Sequence, residues 1–306
     1  MSSADALTAG AAPRWRAWLQ LARVSNTPTV VSNAVAGGAV ASIASPPGVP
    51  AGTVAVVAVA MALFYTAGMI LNDVADLELD RVERPERPLP SGAVTRGAAL
   101  VAVYALTGAG LAALAATGIE PLLAGIALAA LIVLYDLWHK GNPLSPVLMA
   151  GCRALVYVIA ALAVAGSLSA ELWGAAALLL VYVIGLTQVA KAERSGDERA
   201  ARGRSGGIAA RWPVLAVLAP AAYWAKELPA LEVALLLAGF LAWTAFALWL
   251  VLAHRQIGAG VVRLIAGIAV YDALVVAASG GGAVAVAVCL AAFAATVALQ
   301  TKIAGT

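Results

Sequence analysis

Apolar residues run along this chain in long unbroken stretches separated by short polar breaks. The stretches cover 26–44, 51–72, 97–117, 121–138, 146–166, 172–190, 208–225, 229–253, 260–279 and 282–301. A run of about twenty apolar residues crosses the hydrocarbon core of a bilayer as an α-helix, whereas a barrel strand would alternate over about ten. The pattern therefore predicts an all-α integral membrane protein. The seventh run is short and interrupted by Pro220, and only Ser279-Gly280-Gly281-Gly282 separates the last two, so the spans number nine or ten. Ahead of them, Pro13-Arg14-Trp15-Arg16-Ala17-Trp18-Leu19 reads as a short interfacial helix within a polar segment, 1–22. The chain reads as a single transmembrane domain over residues 1–306.

Composition supports this. Hydrophobic residues make up 63% of the chain and charged residues 11%, with mean hydropathy +0.93. So few charges cannot coat a soluble surface, which excludes a soluble enzyme or a disordered scaffold. The net charge of +3 calls for no nucleic acid, because it follows from the loops. Arg14, Arg16 and Arg23 precede the first span. Arg81, Arg84, Arg87 and Arg96 follow the second, Lys140 the fourth, and Lys191, Arg194, Arg199, Arg202, Arg204 and Arg211 the sixth. The opposite loops hold only Lys226. The positive-inside rule then puts the N-terminus and the charged loops in the cytoplasm, in a multi-pass protein of the cell membrane. Cys152 and Cys289 both fall inside apolar runs and read as small buried hydrophobes.

Two of those connections, 73–96 and 191–211, are long and charged. The first begins Asn72-Asp73-Val74-Ala75-Asp76-Leu77-Glu78-Leu79-Asp80. On a continuing helix, Asn72, Asp76 and Asp80 share one face, with Asp73 at its edge. Like charges so spaced repel, the more so near lipid, and call for a positive partner. Oxygen-only ligands favour Mg²⁺, which fills its shell with water and substrate phosphates. The second connection repeats the spacing: Glu193 and Asp197 stand 117 residues after Asp76 and Asp80. Of the 16 acidic residues, six fall in these two short segments, so chance solvation of helix ends is the weaker reading, although Arg81, Arg84 and Arg194 could pair with them. Two facing acidic pairs suit two Mg²⁺ ions bridged by a diphosphate.

Asn72-Asp73-x-x-Asp76-x-x-x-Asp80, followed by Arg87-Pro88-Leu89-Pro90-Ser91-Gly92-Ala93-Val94-Thr95, resembles the first signature of the UbiA superfamily of intramembrane prenyltransferases. Thr187-Gln188 leading into Glu193-x-x-x-Asp197 is similar to the second, with Glu in place of the first Asp. The resemblance implies a bundle of nine helices around a central cavity open to the cytoplasm and laterally to lipid. It implies a polyprenyl diphosphate held by Mg²⁺ and ionised to an allylic cation that alkylates a hydrophobic or aromatic acceptor. Asn72, Asp76, Asp80, Glu193 and Asp197 would be metal ligands, direct or through water, and Asp73 a supporting one. Where the family often carries Tyr-Pro and then Lys-Arg, this chain has Tyr135-Asp136-Leu137-Trp138-His139-Lys140. Arg23-Val24-Ser25-Asn26 and Asn142-Pro143-Leu144-Ser145-Pro146 are similar to the EboC-like bacterial branch.

Further polar residues extend the candidate site. Arg23, Asn26, Arg87, Lys140, Lys191 and Arg194 lie close in sequence to the motifs and suit phosphate. Arg153 and Asp272 lie inside spans, where a charge marks a function or an ion pair. Their candidate roles are substrate contacts; their candidate structural partners are Asp136 and Arg263. Asn33 is either a cavity residue or helix-packing glue. Tyr65, Tyr135, Tyr157 and Tyr182 are candidates for facing a carbocation. His139 and His254 lack metal-ligand spacing and receive no role. Two other readings use the same features: transfer of another group, such as a phosphoribosyl, on this scaffold, and a secondary transporter.

Overall fold

A computed structural model describes residues 14–43, 50–194, 208–224 and 230–303. Among these residues the chain is entirely helical apart from its turns. The elements are α1 (Arg14–Leu21), a 3₁₀ turn (Val24–Asn26), α2 (Pro28–Ser42), α3 (Ala51–Ala75), α4 (Leu77–Glu83), α5 (Arg96–Ala115), α6 (Ile119–Trp138), α7 (Ser145–Ala165), α8 (Ala170–Arg194), α9 (Ile208–Trp224), α10 (Leu231–Leu252), α11 (Ile257–Ala278) and α12 (Ala283–Gln300). Eight of them are long and apolar enough to cross a membrane. Helices α2 and α9 are shorter, at 15 and 17 residues, and α9 carries Pro213 and Pro220. Each predicted apolar run thus coincides with a helix, as lipid requires of a backbone that has no water to bond.

The ends of these helices follow local chemistry. Pro28 opens α2, where a missing N–H costs nothing. The Thr95 hydroxyl caps α5 by accepting from Ala98 N at 3.2 Å. Gly166 closes α7 at φ 63°, a left-handed conformation that suits glycine. Arg23, between α1 and the 3₁₀ turn, adopts φ 43° without being glycine. That strain sits at a residue of the candidate site.

The helices close into a ring in which α2 touches α3, α7, α11 and α12. Helix α11 is the most enclosed, with 72% of its span buried against 22% for α5, α6 and α12, so α11 is central and those three face lipid. Close approach depends on small residues. A Cβ on Gly37 of α2 would lie 2.7 Å from the Tyr157 Cα of α7. The core holds Phe64, Phe240, Tyr157, Tyr182 and Tyr271, all fully buried. Cys152 and Cys289 are both free thiols; Cys289 is buried as expected, whereas Cys152 is only partly buried.

Helix α1 is amphipathic. Trp15 is exposed, while Ala17 and Leu21 pack with Ile70, Val74, Leu77 and Leu89. This cluster ties α1, the end of α3, α4 and the 84–95 turns into one platform at the charged end of the bundle.

Candidate active site

The platform positions the first acidic motif. Helix α3 ends at Ala75, yet Asp76 N still bonds Asn72 O and Asp80 N bonds Asp76 O, each at 2.9 Å. Helical spacing therefore persists through the junction, and Asn72, Asp73, Asp76 and Asp80 are all buried. The 84–95 turns are pinned by Leu89 and Val94, which bury against Ile70, Val74 and Ala99. That anchoring fixes Arg87, which reaches Asp80 at 2.8 Å and Asp73 at 3.5 Å. Arg23 reaches Asp73 from the other side at 3.1 Å. Lys140 lies 2.7 Å from Asp76, and His139 Nε2 lies 3.5 Å from the same oxygen.

The charge repulsion that the sequence assigned to Mg²⁺ is thus met by the protein's own cations. Arg81 does pair with Glu78 of the same segment, which is exposed, whereas the buried carboxylates turn inward to Arg23, Arg87 and Lys140. Burial tends to raise the Asp76 carboxyl, but His139 and Lys140 outweigh it and hold the group down at about 2. His139, assigned no role from sequence, is a site residue. Its one sequence signal is its place beside Lys140. Asp136 is another: Asn72 Nδ2 donates to its Oδ1 at 3.2 Å, while its Oδ2 is buried without a hydrogen-bond partner.

These side chains surround the mouth of a cavity of about 570 Å³. One wall comes from the α1–α2 approach, α3 and α7, and carries Gln20, Arg23, Asn26, Tyr65, Asn72, Asp73 and Arg153. The facing wall comes from α8 and α11 and is apolar: Val183, Leu186, Ala190, Val261, Ile265 and Ile268, with Thr187 and Lys191 at its rim. Arg84, Glu86, Arg87 and Pro88 roof it, and Tyr135, His139, Ser145 and Met149 complete it. Asp76 and Asp80 stand just behind this lining, against Lys140 and Arg87.

Of the remaining predicted residues, Lys191 lines the rim and donates to Asn142 O at 3.1 Å. Asn26 accepts from Gln300 Nε2 at 2.9 Å, which ties the end of α12 to the cavity. Among the described residues Arg153 pairs with no carboxylate. It donates to Asn33 Oδ1 at 2.9 Å and Thr29 Oγ1 at 3.0 Å, and lies over the Tyr65 ring. The pairing with Asp136 is therefore corrected, since α7 turns Arg153 toward α2. Asp272 is fully buried and does not line the cavity. It accepts from Ser32, Asn33 and Tyr157. Its partners are these donors and not Arg263, whose guanidinium bonds Ala259 O in its own helix. Tyr65 and Tyr135 face the cavity, whereas Tyr157 and Tyr182 are buried away from it and donate to Asp272 and Leu264 O. Glu193 and Arg194 end α8, but their side chains lie outside the described residues, as does Asp197 altogether.

Among the described residues no three acidic, histidine or cysteine side chains converge on one point. The first motif still suits a hard cation. Its donors are all oxygens, and Asp136 Oδ2 adds a buried one without a partner.

A helical membrane bundle with a charged mouth and one apolar inner wall is built to hold an amphiphile with an anionic head. Comparison with known proteins says which family of such bundles it is: the UbiA prenyltransferase family matches residues 30–279, and the chain belongs to it. A digeranylgeranylglyceryl phosphate synthase of Halobacterium salinarum is 37% identical over 178 residues, 55% of this chain and 60% of that protein. The match spans less than two thirds of that relative's length, and less still of others. Among solved structures, a UbiA homologue from Aeropyrum pernix superposes with TM-score 0.60 at 23% identity, over 83% of this chain and 96% of that one. A homologue from Archaeoglobus fulgidus bound to GPP and Mg²⁺ gives 0.55 at 15% identity, over 86% and 98%. At these identities the likeness is one of fold.

Proposed function

We propose that this chain, as a single transmembrane domain, transfers a prenyl group from a polyprenyl diphosphate to an acceptor inside the membrane. The observation that carries this is the two-sided cavity: a charged mouth for a diphosphate continuous with an apolar α8–α11 wall for an isoprenoid tail. Arg23, Arg87, Lys140 and Lys191 are the side chains suited to take the leaving diphosphate. The C–O bond to the allylic carbon breaks with its electron pair on the diphosphate. The acceptor's nucleophile then bonds that carbon and loses a proton. The apolar wall keeps water from the cation, and the Tyr65 and Tyr135 rings offer it their π faces. Asn72, Asp73, Asp76 and Asp80 would hold Mg²⁺, with Glu193 and Asp197 the expected second set. Bound there, Mg²⁺ supplies charge neutralisation of the departing diphosphate. The loops' Lys and Arg excess supports a cytoplasmic mouth.

An anionic acceptor is favoured, where the resemblance implied a hydrophobic or aromatic one. Among the described residues the cavity is lined by Arg23, Arg84, Arg87, Arg153 and Lys191 against the carboxylates Asp73 and Glu86. The surplus suits a second anion beside the donor, in keeping with the glyceryl phosphate in the relatives' name. The test is binding of geranyl, farnesyl and geranylgeranyl diphosphate to the protein in nanodiscs, with and without Mg²⁺, alongside Asp76→Asn. Mg²⁺-dependent binding of one of them, lost in the variant, is the expected result. Binding of none by the wild type overturns the reading.

A further inference from the structure

Arg153 lies eight residues into α7, about 12 Å along a helix that rises 1.5 Å per residue. Tyr65, beneath its guanidinium, precedes Asn72 by seven residues on α3, or about 10 Å. Arg153 therefore sits roughly two helical turns below the acidic motif, too deep to be a rim charge. A cation at this depth needs a reason to be there.

Its surroundings give one. Among the described residues no carboxylate pairs with it; the nearest charge balance comes through an amide. Asn33 accepts from Arg153 at its Oδ1 and gives both Nδ2 bonds to Asp272, each at 2.9 Å. A guanidinium can only donate, so Asn33 must turn its Oδ1 to Arg153 and its Nδ2 to Asp272. Tyr157 and Ser32 lock Asp272 in turn. A direct ion pair would consume the guanidinium fork. The relay instead orients it while leaving its remaining N–H donors to the cavity that Arg153 lines.

We propose that Arg153 is the anion contact of an acceptor subsite below the diphosphate mouth, and that Asp272 is a positioning residue acting on it through Asn33. The subsite takes an oxyanion of the acceptor, a phosphate or a carboxylate, which Arg can hold bidentately. This inference rests on the proposed prenyl transfer and names the acceptor's chemistry.

The test is run on the full chain in nanodiscs with two probe pairs: hexadecylglyceryl phosphate against hexadecylglycerol, and 4-hydroxybenzoate against phenol. Geranylgeranyl diphosphate with Mg²⁺ is titrated separately. In the wild type, the anionic member of at least one pair should bind tenfold or more tighter than its neutral partner. The preferred pair tells phosphate from carboxylate. Arg153→Gln should erase that ratio while leaving donor affinity within about twofold. Asp272→Asn replaces one of the two oxygens that hold the Asn33 Nδ2 with a donor, loosening the amide under Arg153, and should reduce the ratio several-fold, an effect that loss of stability alone would not produce. No anionic preference in either wild-type pair overturns the inference without recourse to a variant. A ratio unchanged in Arg153→Gln overturns it too, and loss of donor binding in that variant assigns Arg153 to the diphosphate instead. Failure of the wild type to bind any prenyl diphosphate would instead strike the underlying prenyl-transfer reading.

Discussion

Arg87 is the residue on which the acidic cluster leans most. It is 16% exposed and bridges Asp73 and Asp80, themselves 8% and 7% exposed. Replacing it with Gln leaves Asp73 its second partner, Arg23, but deprives Asp80 of its only cation among the described residues. Breaking a fully buried pair costs about 3–5 kcal/mol. The mouth is open and half of the pairing survives at Asp73, so the expected cost of Arg87→Gln is about 2–3 kcal/mol. Mg²⁺ turns this into a test of the site. In the wild type the ion must compete with Arg87; in the variant it meets carboxylates already released. A ligand at 100 times its Kd stabilises by about 2.7 kcal/mol. Unfolding of both proteins in detergent, with and without saturating Mg²⁺, should show a deficit in the variant that Mg²⁺ recovers by about 1–2 kcal/mol. A deficit indifferent to Mg²⁺ would refute the assignment of Asp73 and Asp80 to a cation. No deficit would refute the claim that the pair is buried strongly enough to matter.

Other expectations are simpler. Gly37→Leu drives a side chain into the α7 backbone at Tyr157; it should destabilise the bundle by at least about 2 kcal/mol, read as lost folded yield and a lower Tm, and an unchanged Tm would contradict the close packing. Leu89→Ala removes an anchor of the Arg87 turn at a cost of about 2–3 kcal/mol and should weaken donor binding several-fold, measured by titration of geranylgeranyl diphosphate. Asp76 has its carboxyl depressed in the folded state, so its contribution to stability is present above the ordinary carboxylate range and is lost as pH falls toward about 2. Lys140→Met removes a partner that depresses it and should move that acid loss to higher pH, followed by unfolding at pH 5, 4 and 3.

The helices and the first motif were legible because their signals are local. Twenty apolar residues predict a span wherever the rest of the chain goes, and the Asn72 to Asp80 stripe is set by helical spacing alone. What the tyrosines do was not legible. In a soluble helix the polar face marks the outside, but here lipid and core are both apolar, so nothing in the pattern separates Tyr65, facing the cavity, from Tyr157, facing Asp272. The partners of Arg153 and Asp272 were hidden for another reason. Asn33 stands 120 residues before the first and 239 before the second, so only tertiary packing of α2 between α7 and α11 brings them together. Asp136 and Arg263 were nearer in sequence and wrong. His139 lacks metal-ligand spacing in the sequence, and its place in the site follows only from standing beside Asp76.

The pairing of the acidic motif with protein cations also predicts how donor and metal load. Bare buried carboxylates would be costly, and Arg23, Arg87 and Lys140 offset them. Mg²⁺ arriving alone must push these cations off their partners and leave them unpaired. A diphosphate arriving alone meets the cations already engaged and the carboxylates repelling it. If the two arrived together they would exchange partners: the carboxylates would hold the metal, and the guanidinium and ammonium groups would be free for the phosphates. Each ligand then removes the penalty that the other would face, which is positive coupling and must be reciprocal. A coupling of about 1–3 kcal/mol is typical, a factor of roughly 5–150. Inorganic diphosphate should therefore tighten Mg²⁺ binding by such a factor, Mg²⁺ should tighten diphosphate equally, and Arg87→Gln should shrink the factor because one of the exchanged partners is gone. Independent binding of the two ligands to the wild type would show that the cations do not guard the motif, and the exchange would have to be abandoned.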